Sequence, residues 1–247
     1  MESIQIYLNS KTADKFNNNS IADSEYILPM IEIGDGFHIY ISLQKASIPN
    51  TFYNINSSNN ILDISTDELF CQTIPAGNYN INQLIYYLKS ILTSFTIDYN
   101  VINNKCTFSY NLPWKIMASS TLLSVLGFND SSETDSFING IGLYVIQPPH
   151  CCNLVTVKTI NIVTNLSTNN INKAIPHNNS ILCSIPVNVS PYSMIQYENN
   201  NNFRTNLFVN SLSMLNIKLV DDLGNIINLN GVHYSMTFQI DIIKFRQ

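Results

Sequence analysis

The chain has 247 residues, 45% hydrophobic and only 12% charged, with a net charge of −5 and a pI near 5.2. This length suits one or two domains with a core large enough to need no disulfide staples. The charge balance argues against a nucleic-acid binder, whose mark is a basic patch; no apolar run approaches the ~20 residues of a membrane span; and the start MESIQIYLNS lacks the basic and apolar regions of a signal peptide.

The N-terminal segment, residues 1–19, ends in an asparagine run and carries Lys11 and Lys15. It reads as an arm extending beyond the body of the chain. YILPMIEI and FHIYISL then read as two strands joined at Gly34-Asp35-Gly36, where glycine and aspartate supply the positive φ of a tight hairpin. In the second strand Phe37, Ile39, Ile41 and Leu43 alternate with His38, Tyr40 and Ser42. The run ends at Pro49, since proline cannot donate to a central ladder. ILDIS and ELFCQTI are further short strands.

The period then changes. In NINQLIYYLKSILTS the apolar residues Ile81, Leu84, Ile85, Leu88, Ile91 and Leu92 fall at helical spacing, with Asn80 as N-cap. FTIDYNVINNKCTFSYN reads as a hairpin turning at Asn103-Asn104. SSTLLSVLGF reads as a short helix capped by Ser119 or Ser120 and stopped by Gly127. Strands return in IGLYVIQ, LVTVKTINIV and SILCSIPV. QYENNNNFRTN is a polar loop, and SMLNIKLV-DDLGN-IINL turns back on itself. In HYSMTFQIDI, Tyr234, Met236, Phe238, Ile240 and Ile242 face one way and Ser235, Thr237, Gln239 and Asp241 the other. The total is about ten to twelve strands and two helices, a pattern of sandwich or barrel type.

Five cysteines without a CxxC pair argue against a disulfide framework and for a reducing compartment. The chain also holds 37 Asn and 35 Ile against 8 Gly. An AT-rich genome explains such a bias; a charge-poor surface suited to close packing against other protein also does.

Signs of chemistry are few. The histidines are His38, His150, His177 and His233, none in a HExxH pattern. PPHCCN at 148–153 is the one His/Cys cluster, but neighbouring residues on an extended chain point to opposite sides and a second ligand pair is missing. Gly-x-Ser-x-Gly, GxGxxG and the P-loop pattern do not occur. Asp221-Asp222-x-Gly224-Asn225 lacks EF-hand spacing and reads as a β-turn. No catalytic residue, cofactor site or metal site is assigned.

Several segments taken together carry a resemblance. ISLQKASIPNTFYNIN is a strand followed by Ile-Pro-Asn-Thr-x-Tyr-Asn-Ile; IPAGNYNINQLIYYLKSIL is a Gly-x-Tyr entry into an amphipathic helix; a hairpin, LLSVLGF, SMLNIKLVDDLGNIINLNG and an alternating strand follow. This order, from about Phe37 to the C-terminus, resembles the penton, or minor capsid, proteins of virophages and the related Polinton elements. The resemblance implies a mainly β fold: a single jelly-roll sandwich with a small α+β insertion. It places the jelly roll at 1–74 and 140–247 and a helix–hairpin–helix insertion at 75–139. It implies a homopentameric vertex of an icosahedral virion, assembled in the host cytoplasm, with the major capsid protein of the same virus as partner and no catalysis. In such a ring a subunit shows a different patch to each neighbour. The uncharged stretch with Pro49, Phe52, Tyr53 and Ile55 suits that seam, although Phe52 and Tyr53 also suit the end of the subunit's own core. A lectin-like or host-attachment β-sandwich that binds a host-surface glycan is the alternative reading, and a β-sandwich glycosidase the third.

Overall fold

The computed structural model describes residues 2–34, 36–129, 132–166, 168 and 181–244. Asp35, His177 and Ser180 lie outside the described residues. The chain divides into two compact units, Met1–Phe52 with Val157–Gln247, and Tyr53–Thr156.

In chain order the first unit opens with β1 (Glu2–Asn9), β2 (Lys15–Phe16), β3 (Asp23–Glu32) and β4 (Phe37–Pro49). The second unit holds β5 (Ile61–Ser65), β6 (Leu69–Thr73), α1 (Ile81–Ile91), β7 (Thr96–Asn100), β8 (Lys105–Tyr110) and β9 (Lys115–Ile116). It continues with α2 (Leu123–Leu126), β10 (Thr134–Asp135), β11 (Phe137–Ile138) and β12 (Tyr144–Ile146). The first unit resumes with β13 (Thr159–Thr164), β14 (Ile181–Pro186), β15 (Met194–Glu198), β16 (Thr205–Leu207), β17 (Ser211–Val220) and β18 (Ser235–Lys244).

The first unit is a sandwich of two antiparallel sheets. One runs β1-β18-β4-β15, with β16 also on β4; the other runs β14-β13-β17-β3-β2. A single apolar cluster draws on both. Leu8, Ile39, Ile41, Leu43, Phe238 and Ile240 come from the first sheet, and Tyr26, Ile160, Ile162, Leu215, Ile217 and Leu219 from the second. The Tyr26 hydroxyl donates to the Tyr234 hydroxyl at 3.2 Å inside this core. Burial pushes both phenols above their ordinary pKa, so they stay protonated and able to bond to each other. This is the mainly β, jelly-roll-type architecture.

Three expectations about this unit are corrected. The strands on either side of Gly34–Gly36 are not a hairpin: β3 pairs with β17 and β4 with β18, in different sheets. The ladder of β3 runs on to Ile33, whose N–H donates to Asn210, and the chain then crosses. Gly36 does take a positive φ of 79°, but a turn residue permits a reversal without choosing the partner strand. The N-terminal segment is not a free arm. Ile4, Ile6 and Leu8 turn inward while β1 pairs with β18 from Glu2↔Ile242 to Asn9↔Ser235, and β2 pairs with β3. Finally, Asp241 is buried despite lying on the polar side of β18. It accepts from Ser3 Oγ at 2.6 Å and Gln239 Nε2 at 2.9 Å, and the Arg204 guanidinium stands 3.9 Å away.

The second unit is wider than the 75–139 insertion expected. Ile55, Leu62, Ile64 and Ile74 before that span, and Ile146 after it, are buried in the same cluster as α1 and the β7–β8 hairpin. Its sheets run β10-β9-β5-β6 and β11-β12-β8-β7. The Trp114 indole N–H donates to Tyr144 O at 3.0 Å. α1 has the expected cap: the Asn80 side chain accepts from Gln83 N–H, and Gln83 reaches back to Asn80 N–H. α2 lacks the serine cap. Ser119 Oγ donates to Asp63 Oδ2 at 2.5 Å, and Ser120 Oγ accepts Asp63 N–H at 2.8 Å, so both serines tie to β5. The strand hydrogen bonds claim them before the helix can.

Gly127 ends α2 at φ 89°, and a β-carbon there would lie 2.4 Å from His150 O and 2.7 Å from Cys151 O. Both contacts are backbone and cannot swing aside. Gly127→Ala is therefore expected to lower unfolding free energy by more than about 2 kcal/mol in urea titration. Gly140→Ala, at a glycine with open space around it, is expected to stay within about 0.5 kcal/mol of the parent.

Candidate functional site

Several polar side chains that could carry chemistry are engaged elsewhere. His150 Nε2 is 3.1 Å from Asn129 Oδ1, and His233 Nδ1 is 3.0 Å from Ser10 Oγ. The Ser10–His233 contact has the geometry of a nucleophile and its base. Ser10 is fully buried, however, and its oxygen already accepts Tyr234 N–H at 2.9 Å, so no substrate reaches it. Among the described residues no group of three or more His, Cys, Asp or Glu side chains could hold a metal ion. Asp221 forms a turn, accepting Leu223 N–H and Asn225 N–H at 2.9 and 2.8 Å, and Gly224 takes φ 89°. The Asp222 carboxylate accepts from Lys158 N–H and Thr159 Oγ1. No helix among the described residues is long and apolar enough to cross a membrane.

The four residues nominated for a seam do not form one exposed patch. Pro49 is the buried last residue of β4, paired with Met194. Phe52 is 9% exposed in the core of the first unit, and Ile55 is 0% exposed in the core of the second. Tyr53 is half-buried. Three of the four side chains are thus covered by their own chain.

What this stretch builds instead is the approach to α1. Ile55 and Gly77 exchange backbone hydrogen bonds at 3.1 and 2.9 Å. The Asn54 side chain accepts from Tyr79 N–H at 2.9 Å and donates to Tyr79 O at 2.8 Å, and Asn54 N–H donates to Asn78 Oδ1 at 3.0 Å. An asparagine side chain here acts as one more rung of a ladder, since it carries the same donor and acceptor as a peptide.

Beside this web opens a cleft of about 670 Å³, lined by residues 77–80, 82, 83, 86 and 87. Its walls are tyrosine rings and carboxamides, with no charged side chain. The Tyr79 and Tyr87 rings lie 6.4 Å apart, inclined at 60°, and the Tyr79 hydroxyl is fixed by Pro75 O at 2.9 Å. Tyr86 is 77% exposed. The Asn78 Nδ2 atom is buried without a partner among the described residues. Sequence reasoning did not single out this cleft. The signal was Tyr86, an aromatic residue on the polar side of an amphipathic helix.

Apolar side chains also stand outward on the sandwich. Ile27 (69% exposed) on β3 faces its register partner Met214 on β17; Met30 (65%) follows on β3, and Tyr7 (74%) projects from the edge strand β1.

No protein-family model matches the chain, and no curated protein sequence does. Among solved structures it is similar to the mavirus penton protein, seen in a selenomethionine-labelled crystal: 10% identity, 98% of this chain and 100% of that one covered, TM-score 0.54. A chain in the 3.5 Å cryo-EM structure of the Sputnik virophage matches at 14% identity, over 97% of this chain and 98% of that one, with TM-score 0.44. At 10% identity the likeness to the mavirus protein is one of fold. The chain is similar in fold to the mavirus penton protein over nearly the whole length of both chains.

The cap of α1 and the outer wall of the cleft are separable. Asn80→Ala removes a capping box and is expected to cost about 1 kcal/mol in urea unfolding, whereas Tyr86→Ala is expected to change stability by less than about 0.5 kcal/mol.

Proposed function

We propose that this chain is a structural, non-catalytic capsid protein that forms the vertex of an icosahedral virion as a ring of five. The observation that carries this reading is the fold itself, matched over nearly the whole length of both chains to a penton protein. Its neighbour in the shell is the major capsid protein of the same virus, and its place of assembly is the host cytoplasm. The seam between subunits falls on outward apolar side chains of the sandwich, with Ile27, Met30 and Met214 as its centre. Phe52 and Ile55 lie in the chain's own cores, which favours the outward residues over them. A surface with little charge lets identical copies approach closely, because few ions need be stripped of water.

Light scattering is expected to show a mass five times that of the 27.9 kDa chain, with five-fold rings in negative stain. The pair I27D and M214D is expected to leave folded monomers, since two buried carboxylates in a seam cost several kcal/mol. A chain that stays monomeric at high concentration and joins no shell when mixed with the major capsid protein sinks the reading.

A second reading rests on the cleft of α1. Tyrosine faces beside side-chain carboxamides, without charge, suit a neutral sugar, whose apolar face stacks on a ring while its hydroxyls bond to amides. In this reading the vertex also attaches to a host-surface glycan. On an array of neutral oligosaccharides, a hit competed by free sugar and weakened at least tenfold by Tyr86→Ala supports it; an array without competable hits removes it.

A further inference from the structure

Two cysteines far apart in sequence meet inside the second unit. Cys106 Sγ and Cys152 Sγ are 3.2 Å apart, both as free thiols. Cys106 is the second residue of β8, opposite Tyr99 near the turn of the β7–β8 hairpin, and is 0% exposed. Cys152 is partly exposed.

The backbone around Cys152 is clamped on three sides. Cys152 N–H donates to Asn104 O at 2.7 Å, His150 N–H to Gly127 O at 3.0 Å, and Asn153 N–H to Val125 O at 2.8 Å. The contact of the two sulfurs is thus set by backbone on both sides, where most thiol pairs depend on side chains happening to meet.

We infer that Cys106 and Cys152 are a site of reversible oxidation, closing an intramolecular disulfide when the chain passes from a reducing compartment into a medium rich in small-molecule disulfides. The order of attack follows from access and from the sulfur–sulfur hydrogen bond. Either sulfur can donate in this contact; with Cys106 as donor, the bond holds the Cys152 thiol below its ordinary pKa and, with burial, pushes Cys106 far above it. Cys152 is therefore the thiolate that meets solvent.

As a thiolate it attacks one sulfur of oxidised glutathione, breaking that S–S bond and releasing one glutathione thiolate. Cys106 then attacks Cys152 Sγ, its proton passing to the departing glutathione sulfur, and the second glutathione leaves as a thiol. Two cysteine thiols lose two electrons and two protons, and one oxidised glutathione becomes two reduced ones. Buried Cys106 meets no bulk oxidant directly, so the second step stays within the chain.

The closed bond spans residues 106–152, which join the β7–β8 hairpin to the chain behind α2. It removes conformations from the unfolded state and leaves the folded one nearly unchanged. The unit is soft where it is made and hardened once outside.

The test uses the full chain, first with all cysteines and then with Cys71, Cys151 and Cys183 changed to Ser. After incubation in oxidised glutathione, a non-reduced peptide map is expected to show Cys106 linked to Cys152. The melting temperature is expected to rise by roughly 10 °C, the size of effect for a loop of this length. Dithiothreitol is expected to reverse both, and C152S to abolish both. Both thiols remaining open to alkylation under denaturing conditions, or glutathione adducts with no linked peptide, overturns the inference. Should the triple variant not fold, the map of the natural chain gives the same decision.

Discussion

β4 and β18 lie antiparallel over their length, and the register between them fixes what the first unit can bury. Ile39 faces Ile242, Ile41 faces Ile240, and Leu43 faces Phe238. All six point into one cluster. Burying each contributes roughly 1.5–3 kcal/mol relative to exposure, so the strip outweighs any single polar contact in the unit. A slip of one residue by β18 would turn its half of the strip, Phe238, Ile240 and Ile242, to solvent. The irregularity between Thr237 and Phe238 keeps the alternation in phase, and Met236 stays inside opposite Ala46. Every other strand of that sheet borrows its position: β1 reads the free side of β18, while β15 and β16 read the free side of β4. The facing sheet is held over the same strip, with the Tyr26–Tyr234 contact joining the two at depth.

Much of this was legible because local pattern and buried face agree. The alternation in HYSMTFQIDI, the helical spacing after Asn80, the stop at Gly127 and the end of β4 at Pro49 all mark where an element begins, ends or turns inward. What the chain does not state locally is which strand lies beside which. Gly34-Asp35-Gly36 has the composition of a hairpin turn, yet the strands on either side of it pair in different sheets, β3 with β17 and β4 with β18. Ser119 and Ser120 look like helix caps and are held by Asp63, more than fifty positions earlier. Phe52, Tyr53 and Ile55 formed an uncharged run suited to a neighbour, yet their destinations diverge, one side chain to each core and Tyr53 half-buried. The cleft beside α1 comes from the same segment, read through its asparagines and not its aromatic residues.

The asparagine bias also acquires a local role. Among the described residues six non-glycine positions take positive φ, and five are Asn18, Asn19, Asn104, Asn202 and Asn230. Asparagine tolerates the left-handed region because its short amide bonds back to nearby backbone. The same bonding to nearby backbone builds turns at other asparagines: Asn139 Oδ1 accepts both Ile141 N–H and Leu143 N–H. Asn199 does the same across a loop, exchanging bonds with both backbone groups of Phe203. In a chain with only 8 Gly, asparagine has taken over much of the turn-making that glycine performs elsewhere. Genome composition can supply the residues; the turns explain why the fold tolerates so many.

That substitution has a chemical cost over time. Asn139 and Asn230 each precede a glycine, the neighbour that least hinders the next backbone nitrogen from closing on the side-chain carbonyl carbon and expelling ammonia. The product is aspartate or its isomer, a new negative charge in a tight turn. Both side chains are tied down in the folded chain, Asn139 as above and Asn230 through its amide to Thr51 O. The bonds that make the turns also hold off this decay, so the natively folded chain ages slowly while any unfolded copy loses the ability to rebuild the same loops.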